Sequence, residues 1–153
     1  MKEVFATIEA HLKAKVPALK LVTRWNNQLG NTDTEKLVRF PACFYQLVSI
    51  RSSTLGPGIQ HCQGILRLRF ADAAMAVDKL KTYDVEAEAY LALQNFNGGP
   101  LLSGLDRTGA DPDDNFDTCE VLVVDYQIKY KDITKYVSKY VSRNPGPEIM
   151  IIE

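Results

Sequence analysis

The chain has 153 residues, of which 46% are hydrophobic and 24% charged, with a formal net charge of -1. That length and balance describe one folded domain able to bury its own core, and they exclude wholesale disorder. A net charge so near zero supplies no global field for nucleic acid or an anionic membrane, and no apolar run is long enough to cross a bilayer.

Residues 2–15 predict an amphipathic helix, because Val4, Phe5, Ile8 and Leu12 fall on one side while Lys2, Glu9 and Lys13 lie elsewhere. Glu3, Glu9 and His11 interrupt the unbroken apolar core that a signal peptide needs, which argues against export by that route. Pro17 ends the helix, since the residue before a proline is pushed out of the helical region. Leu19, Leu21, Thr23 and Trp25 then alternate with Lys20, Val22, Arg24 and Asn26, the pattern of a first strand. Residues 26–34 cluster Asn, Gly, Thr and Asp as a turn or loop does, and Leu37 and Val38 fit either a short helix or an extended approach.

Alternation resumes over 42–50, with Phe44, Gln46, Val48 and Ile50 against Cys43, Tyr45, Leu47 and Ser49. It returns over 59–70, where Gly64, Leu66, Leu68 and Phe70 oppose Ile65, Arg67 and Arg69. The intervening SSTLGPG at 52–58 has the composition of a flexible tip, so the two runs predict a long β-hairpin, with Gly64 marking a bulge or bend. Residues 71–83 read as an irregular lead-in or an earlier helical turn. A second helix is expected to start from Asp84 as N-cap, with Val85, Ala89, Ala92, Leu93 and Phe96 at helical spacing and Asn97-Gly98-Gly99-Pro100 as its stop.

Residues 101–117 read as a long acidic connection rich in turn formers. It leads into 119–131, the longest β-like run. There Leu122, Val124, Tyr126, Ile128 and Tyr130 take one face; the other is apolar at Val121 and Val123, then polar at Asp125, Gln127, Lys129 and Lys131. Such a strand is covered on both sides at its start and wet on one side at its end, and it is expected to be the central strand. Beyond it, Ile133, Tyr136, Val137, Tyr140 and Val141 carry a third amphipathic signal, broken by Pro145-Gly146-Pro147 before an apolar tail from Ile149 to Ile152. The expected fold is α+β: a mostly antiparallel sheet with a long hairpin, packed against two helices. Residues 1–131 form its single domain, and 132–153 are a helical or extended appendage, either part of that domain or an interface arm.

No residue chemistry identifies a function by itself. Asp111, Asp113, Asn115 and Asp117 alternate as at the start of a calcium loop, but Phe116 stands where that loop needs glycine and Leu122 where it needs a bidentate glutamate. His61-Cys62 has no further ligands at zinc spacing, and neighbours on a strand point to opposite faces. The odd, widely spaced cysteines Cys43, Cys62 and Cys119 favour buried reduced thiols over a disulfide framework, with a reducing cytoplasm as the default compartment. Gly56-Pro57-Gly58 lacks the Lys-Ser/Thr of a phosphate loop, and no carboxylate pair is singled out for acid–base work. Arg67 and Arg69 share a strand face as a small basic stripe, read as a wet sheet face or an interface. No catalytic, cofactor or metal residues are assigned, and no enzyme activity is expected.

The order of a first helix, a short strand, PACFYQL at 41–47, a tip, a return ending LRLRFAD at 66–72, a helix, an acidic segment and VLVVDYQIKY at 121–130 resembles one family. It is that of the tail terminator and tail-completion proteins of long-tailed phages and phage-like contractile particles. The resemblance covers residues 2–131 and lies in the order and spacing of elements. It implies a non-catalytic subunit that assembles with itself into a hexameric ring. Such a ring caps the tail tube, stops its polymerisation and receives the head-completion proteins. The implied partners are therefore itself, the tail tube protein and a head-completion protein, with no membrane, cofactor or specific nucleic acid. The implied location is the bacterial cytoplasm during assembly and the finished particle afterwards. Another binding or assembly module, and less so a small-molecule enzyme, remain the alternatives.

Candidate interface residues follow from exposure, variability in such families and charge. They are Ser53, Thr54 and Leu55 at the hairpin tip; Arg67 and Arg69 on the stripe; and Asp111, Asp113 and Asp114 in the acidic segment. In the C-terminal segment they are Lys135 and Lys139 with Ile149 and Ile151, the last two as a strand added to a neighbour's open edge.

Overall fold

The computed structural model describes residues 2–30, 37–73, 81–94, 96–99 and 102–133, with the backbone alone at 103 and 104. Helix α1 (Lys2–Lys15) is followed by β1 (Leu21–Arg24) and a 3-10 turn at Gln28–Gly30. Strands β2 (Ala42–Gly56) and β3 (Ile59–Ala73) form the hairpin, α2 (Lys81–Leu93) follows, and β4 (Leu102–Pro112) and β5 (Cys119–Ile133) close the fold. The five strands lie in the order β1-β2-β3-β5-β4, with β1 parallel to β2 and the other pairs antiparallel. The fold is α+β, as expected, with two helices packed on the sheet.

Both helices cover the same sheet face. Val4, Ile8 and Leu12 recur four apart along α1, as Val85, Ala89 and Leu93 do along α2, so each helix turns one stripe inward. These stripes meet Leu66, Leu68 and Phe70 of β3 and Leu122, Val124, Tyr126, Ile128 and Tyr130 of β5 in the main core. A smaller cluster lies on the opposite face, where Leu29, Ala42, Phe44, Ala71, Cys119 and Val121 are buried beneath Trp25, Val38, Phe40 and Phe116. That cover reaches only one end of the face, which is why β5 turns from Val121 and Val123 to Asp125, Gln127 and Lys129 along its length. Pairing on both sides makes β5 interior, while the middle strand is β3.

Four expectations are corrected. Residues 101–117 are not a loop, because 102–112 form β4, which pairs along its length with β5. An edge strand pairs on one side only, and two register shifts, at Ser103/Leu105 and Arg107/Gly109, break the period-two signal that would have disclosed it. The tip is shorter than residues 52–58: Ser52, Ser53 and Thr54 pair with Cys62, His61 and Gln60, and only Pro57 and Gly58 turn the chain. Gly58 takes φ 71°, a left-handed value that suits glycine after proline in a tight turn. Helix α2 begins at Lys81, which puts Asp84 in its first turn where a carboxylate favours the positive end of the helix dipole. Ile133 pairs with Ile59 as the last residue of β5, not as the first of a helix. The remainder of that third amphipathic signal, from Tyr136 on, and the apolar tail lie outside the described residues.

Gly64 does mark a bulge. Ser49 and Ile50 stand opposite it between the Val48–Ile65 and Arg51–Gln63 pairs, and Ser49 takes φ 53°. A Cβ on Gly64 would lie 3.1 Å from both the Ile50 Cα and the Val48 carbonyl oxygen, so any larger residue would push the bulged strand back by a few tenths of an ångström.

Candidate assembly surface

Three surfaces outside the helix-covered core concentrate the residues that sequence singled out. The first is the helix-free sheet face. Arg67 and Asp125 are directly opposite across β3 and β5, and the guanidinium closes on the carboxylate through Nε and Nη2, each at 2.8 Å. That hydrogen bonding raises the Arg67 pKa further. Arg69, two residues on, donates to Gln46 Oε1 at 3.0 Å and lies 4.5 Å over the Trp25 ring. Burial, then the neighbouring Arg67 charge, lowers its pKa. Trp25 in turn meets Phe44 and Phe116 edge-on, with ring centroids 5.6 and 6.2 Å apart. Both arginines of the stripe therefore have partners within the chain, and Trp25, Asp125 and Phe116, unmarked by spacing alone, complete their setting.

The second surface is the end of the hairpin arm. Among the described residues, helical cover and β4 stop near the Leu102–Tyr130 pair, and β5 continues to Ile133 with β3 as its only strand neighbour. Ser53 and Thr54 are exposed there, and Leu55 sits in the bulge between Thr54 and Gly56. Leu55 and Ile133 are 59% and 51% exposed, so the end of the arm carries two large aliphatic side chains open to solvent. Around them Arg51, Lys129 and Lys131 are exposed, against a half-buried Asp132.

The third is the acidic end, at the other extreme of β5. Asp111 and Pro112 finish β4, and Asp113, Asp114 and Asp117 lie in the connection to β5. The Asp113 amide donates to the Val121 carbonyl at 2.8 Å, and its Oδ1 accepts from the Asn115 amide at 3.2 Å, which orders the turn. A groove of about 440 Å³ opens beside this turn, with Tyr83, Phe116, Val121 and Leu122 as apolar walls and Asp114 and Glu120 among its polar ones. The structure thus separates the expected interface residues into two ends and a face. Lys135, Lys139, Ile149 and Ile151 lie outside the described residues.

Beneath α2, the Glu86 carboxylate is buried, and Arg107 of β4 reaches it at 3.1 Å while lying over the Tyr90 ring. Burial pushes the Glu86 pKa up, and Arg107 opposes the shift. The Tyr126 hydroxyl is also buried and has no hydrogen-bond partner among the described residues. This group ties the edge strand to the helix from within the core. All three cysteines are buried, and among the described residues no three His, Cys, Asp or Glu side chains are placed to hold a metal ion. No described helix is long and apolar enough to cross a membrane. No protein-family model matches the chain, and no curated protein matches its sequence.

Proposed function

We propose that the protein is a structural subunit of a phage or phage-like tail. It assembles with itself into a ring, hexameric in the family it resembles, that caps the tail tube and joins it to the head-completion proteins. The observation that carries this reading is the arrangement of β5. Its middle lies in the core, one end projects as an arm with exposed Leu55 and Ile133, and the other opens on an acidic turn. A subunit built to join others needs distinct surfaces on a rigid frame, and this one has them, with no described α-helix over its second sheet face. The element order on which the family resemblance rests supports the same reading. Sedimentation velocity at low salt, with electron micrographs of the same sample, tests it: closed rings are expected. A strict monomer at high concentration and low salt overturns self-assembly.

A further inference from the structure

We infer that the arm tip of one copy docks into the groove at the acidic end of the next, so that the subunits join head to tail. The inference rests on the self-assembly reading above and names the two surfaces that meet. The tip presents Leu55 and Ile133 flanked by Arg51, Lys129 and Lys131; the groove presents Tyr83 and Phe116 rimmed by Asp114 and Glu120. Apolar knob with basic flanks thus matches apolar groove with acidic rim.

The two surfaces sit at opposite ends of β5, so one copy cannot satisfy itself across that span. Fourteen steps of a strand cover roughly 46 Å. Unlike surfaces on one subunit produce a heterologous contact, which propagates and closes when the rotation allows. Asp111, Asp114, Asp117 and Glu120 join no ion pair among the described residues. Thr82 lines the same groove, and its hydroxyl is buried without a hydrogen-bond partner among the described residues. Exposed ion pairs contribute little affinity, so the aliphatic side chains hold the contact while charge selects its direction and register.

Two charge-reversed proteins test the pairing. One carries Lys129→Glu and Lys131→Glu, which makes its tip acidic; the other carries Asp114→Lys and Glu120→Lys, which makes its groove basic. Each alone sets like charge against like and should weaken self-association at low salt by about tenfold or more. Mixed in equal amounts, each tip meets a complementary groove, and assembly should return to within a few-fold of the unaltered protein. Leu55→Asp, at an exposed site, should also weaken assembly while leaving the circular dichroism unchanged. Reversed proteins that each assemble as well as the original overturn the tip-and-groove contact and leave self-assembly standing; so does a mixture that fails to recover. A monomeric unaltered protein overturns self-assembly itself, and this contact with it.

Discussion

Arg67 and Asp125 meet across the β3–β5 pair with both arms of the guanidinium engaged at 2.8 Å, on the sheet face that neither described helix covers. Geometry of this kind separates the pair from an ordinary surface ion pair, because two parallel hydrogen bonds fix the plane of the guanidinium as well as its distance. Asp125 also marks the point where β5 passes from apolar to polar on that face. A double-mutant cycle with Arg67→Ala and Asp125→Ala should give a coupling of about 1 kcal/mol in thermal or urea unfolding. Arg67→Lys should lose most of it, since an ammonium cannot make the two-pronged contact. A coupling indistinguishable from zero would reduce the pair to a crystal-like ornament of the surface, without weight in the fold.

Val124 lies at the centre of β5 with no exposed surface, in the same core as Val85, Ala89 and Leu93 of α2. Val124→Ala should cost about 1–3 kcal/mol through lost burial and the cavity left behind. Val124→Asp would place an unpaired charge there and cost several kcal/mol, comparable to a domain's whole stability. Urea titration checks both. An Asp variant that melts like the original would show that β5 does not anchor the core.

Two glycines separate a packing requirement from a mere composition. Gly64→Ala must displace the Ile50 backbone or the Val48 carbonyl, each 3.1 Å from the new Cβ, and should destabilise by about 1–3 kcal/mol. At Gly109 an added Cβ meets nothing within 4 Å, so Gly109→Ala should change stability by about 0.5 kcal/mol or less. Equal melting temperatures for the two variants would contradict the bulge geometry.

Helix α1 is fastened to β2 by Tyr45, whose hydroxyl donates to Glu9 Oε2 at 2.6 Å while Phe5 stacks near its ring. Burial, reinforced by that bond, pushes the Tyr45 pKa up to about 12, from an ordinary value of 10.0. A raised value means that the fold favours the protonated phenol. The contribution is complete below pH 10.0 and is lost as the pH climbs through about 12. Glu9 behaves oppositely. Hydrogen bonds from Lys13 and then Tyr45 hold its carboxyl below 4.5, so its contribution is present above that pH and lost as pH falls through the lowered value. Unfolding free energy measured against pH should therefore fall on the alkaline side between about 10 and 12, and Tyr45→Phe should reduce that fall. The fall should not vanish, because burial raises Tyr130 to about 12 as well. Identical alkaline limbs for the two proteins would remove Tyr45 from the account.

Local pattern by itself determined the elements whose side chains face a core. Val4, Ile8 and Leu12 bury one stripe of α1, and the alternation from Leu122 to Tyr130 sorts β5 into its two faces, because burial imposes period on the residues it touches. Tertiary structure decided whatever depends on a partner distant in the chain. Strand β4 carries Asp106, Gly109 and Asp111 with no useful alternation, and only the waiting edge of β5 makes it a strand. Residues 52–56, with the composition of a loop, are extended because Gln60, His61 and Cys62 supply their ladder. Pairing likewise turned Arg67 and Arg69 from a free basic stripe into one half of an ion pair and a cation over Trp25. It also carried Leu55 and Ile133, 78 positions apart in the sequence, to the same end of one arm, on the two strands that flank β3. Side-chain period records which face is dry; it holds no record of which strand lies alongside, since backbone hydrogen bonds are the same for every residue but proline.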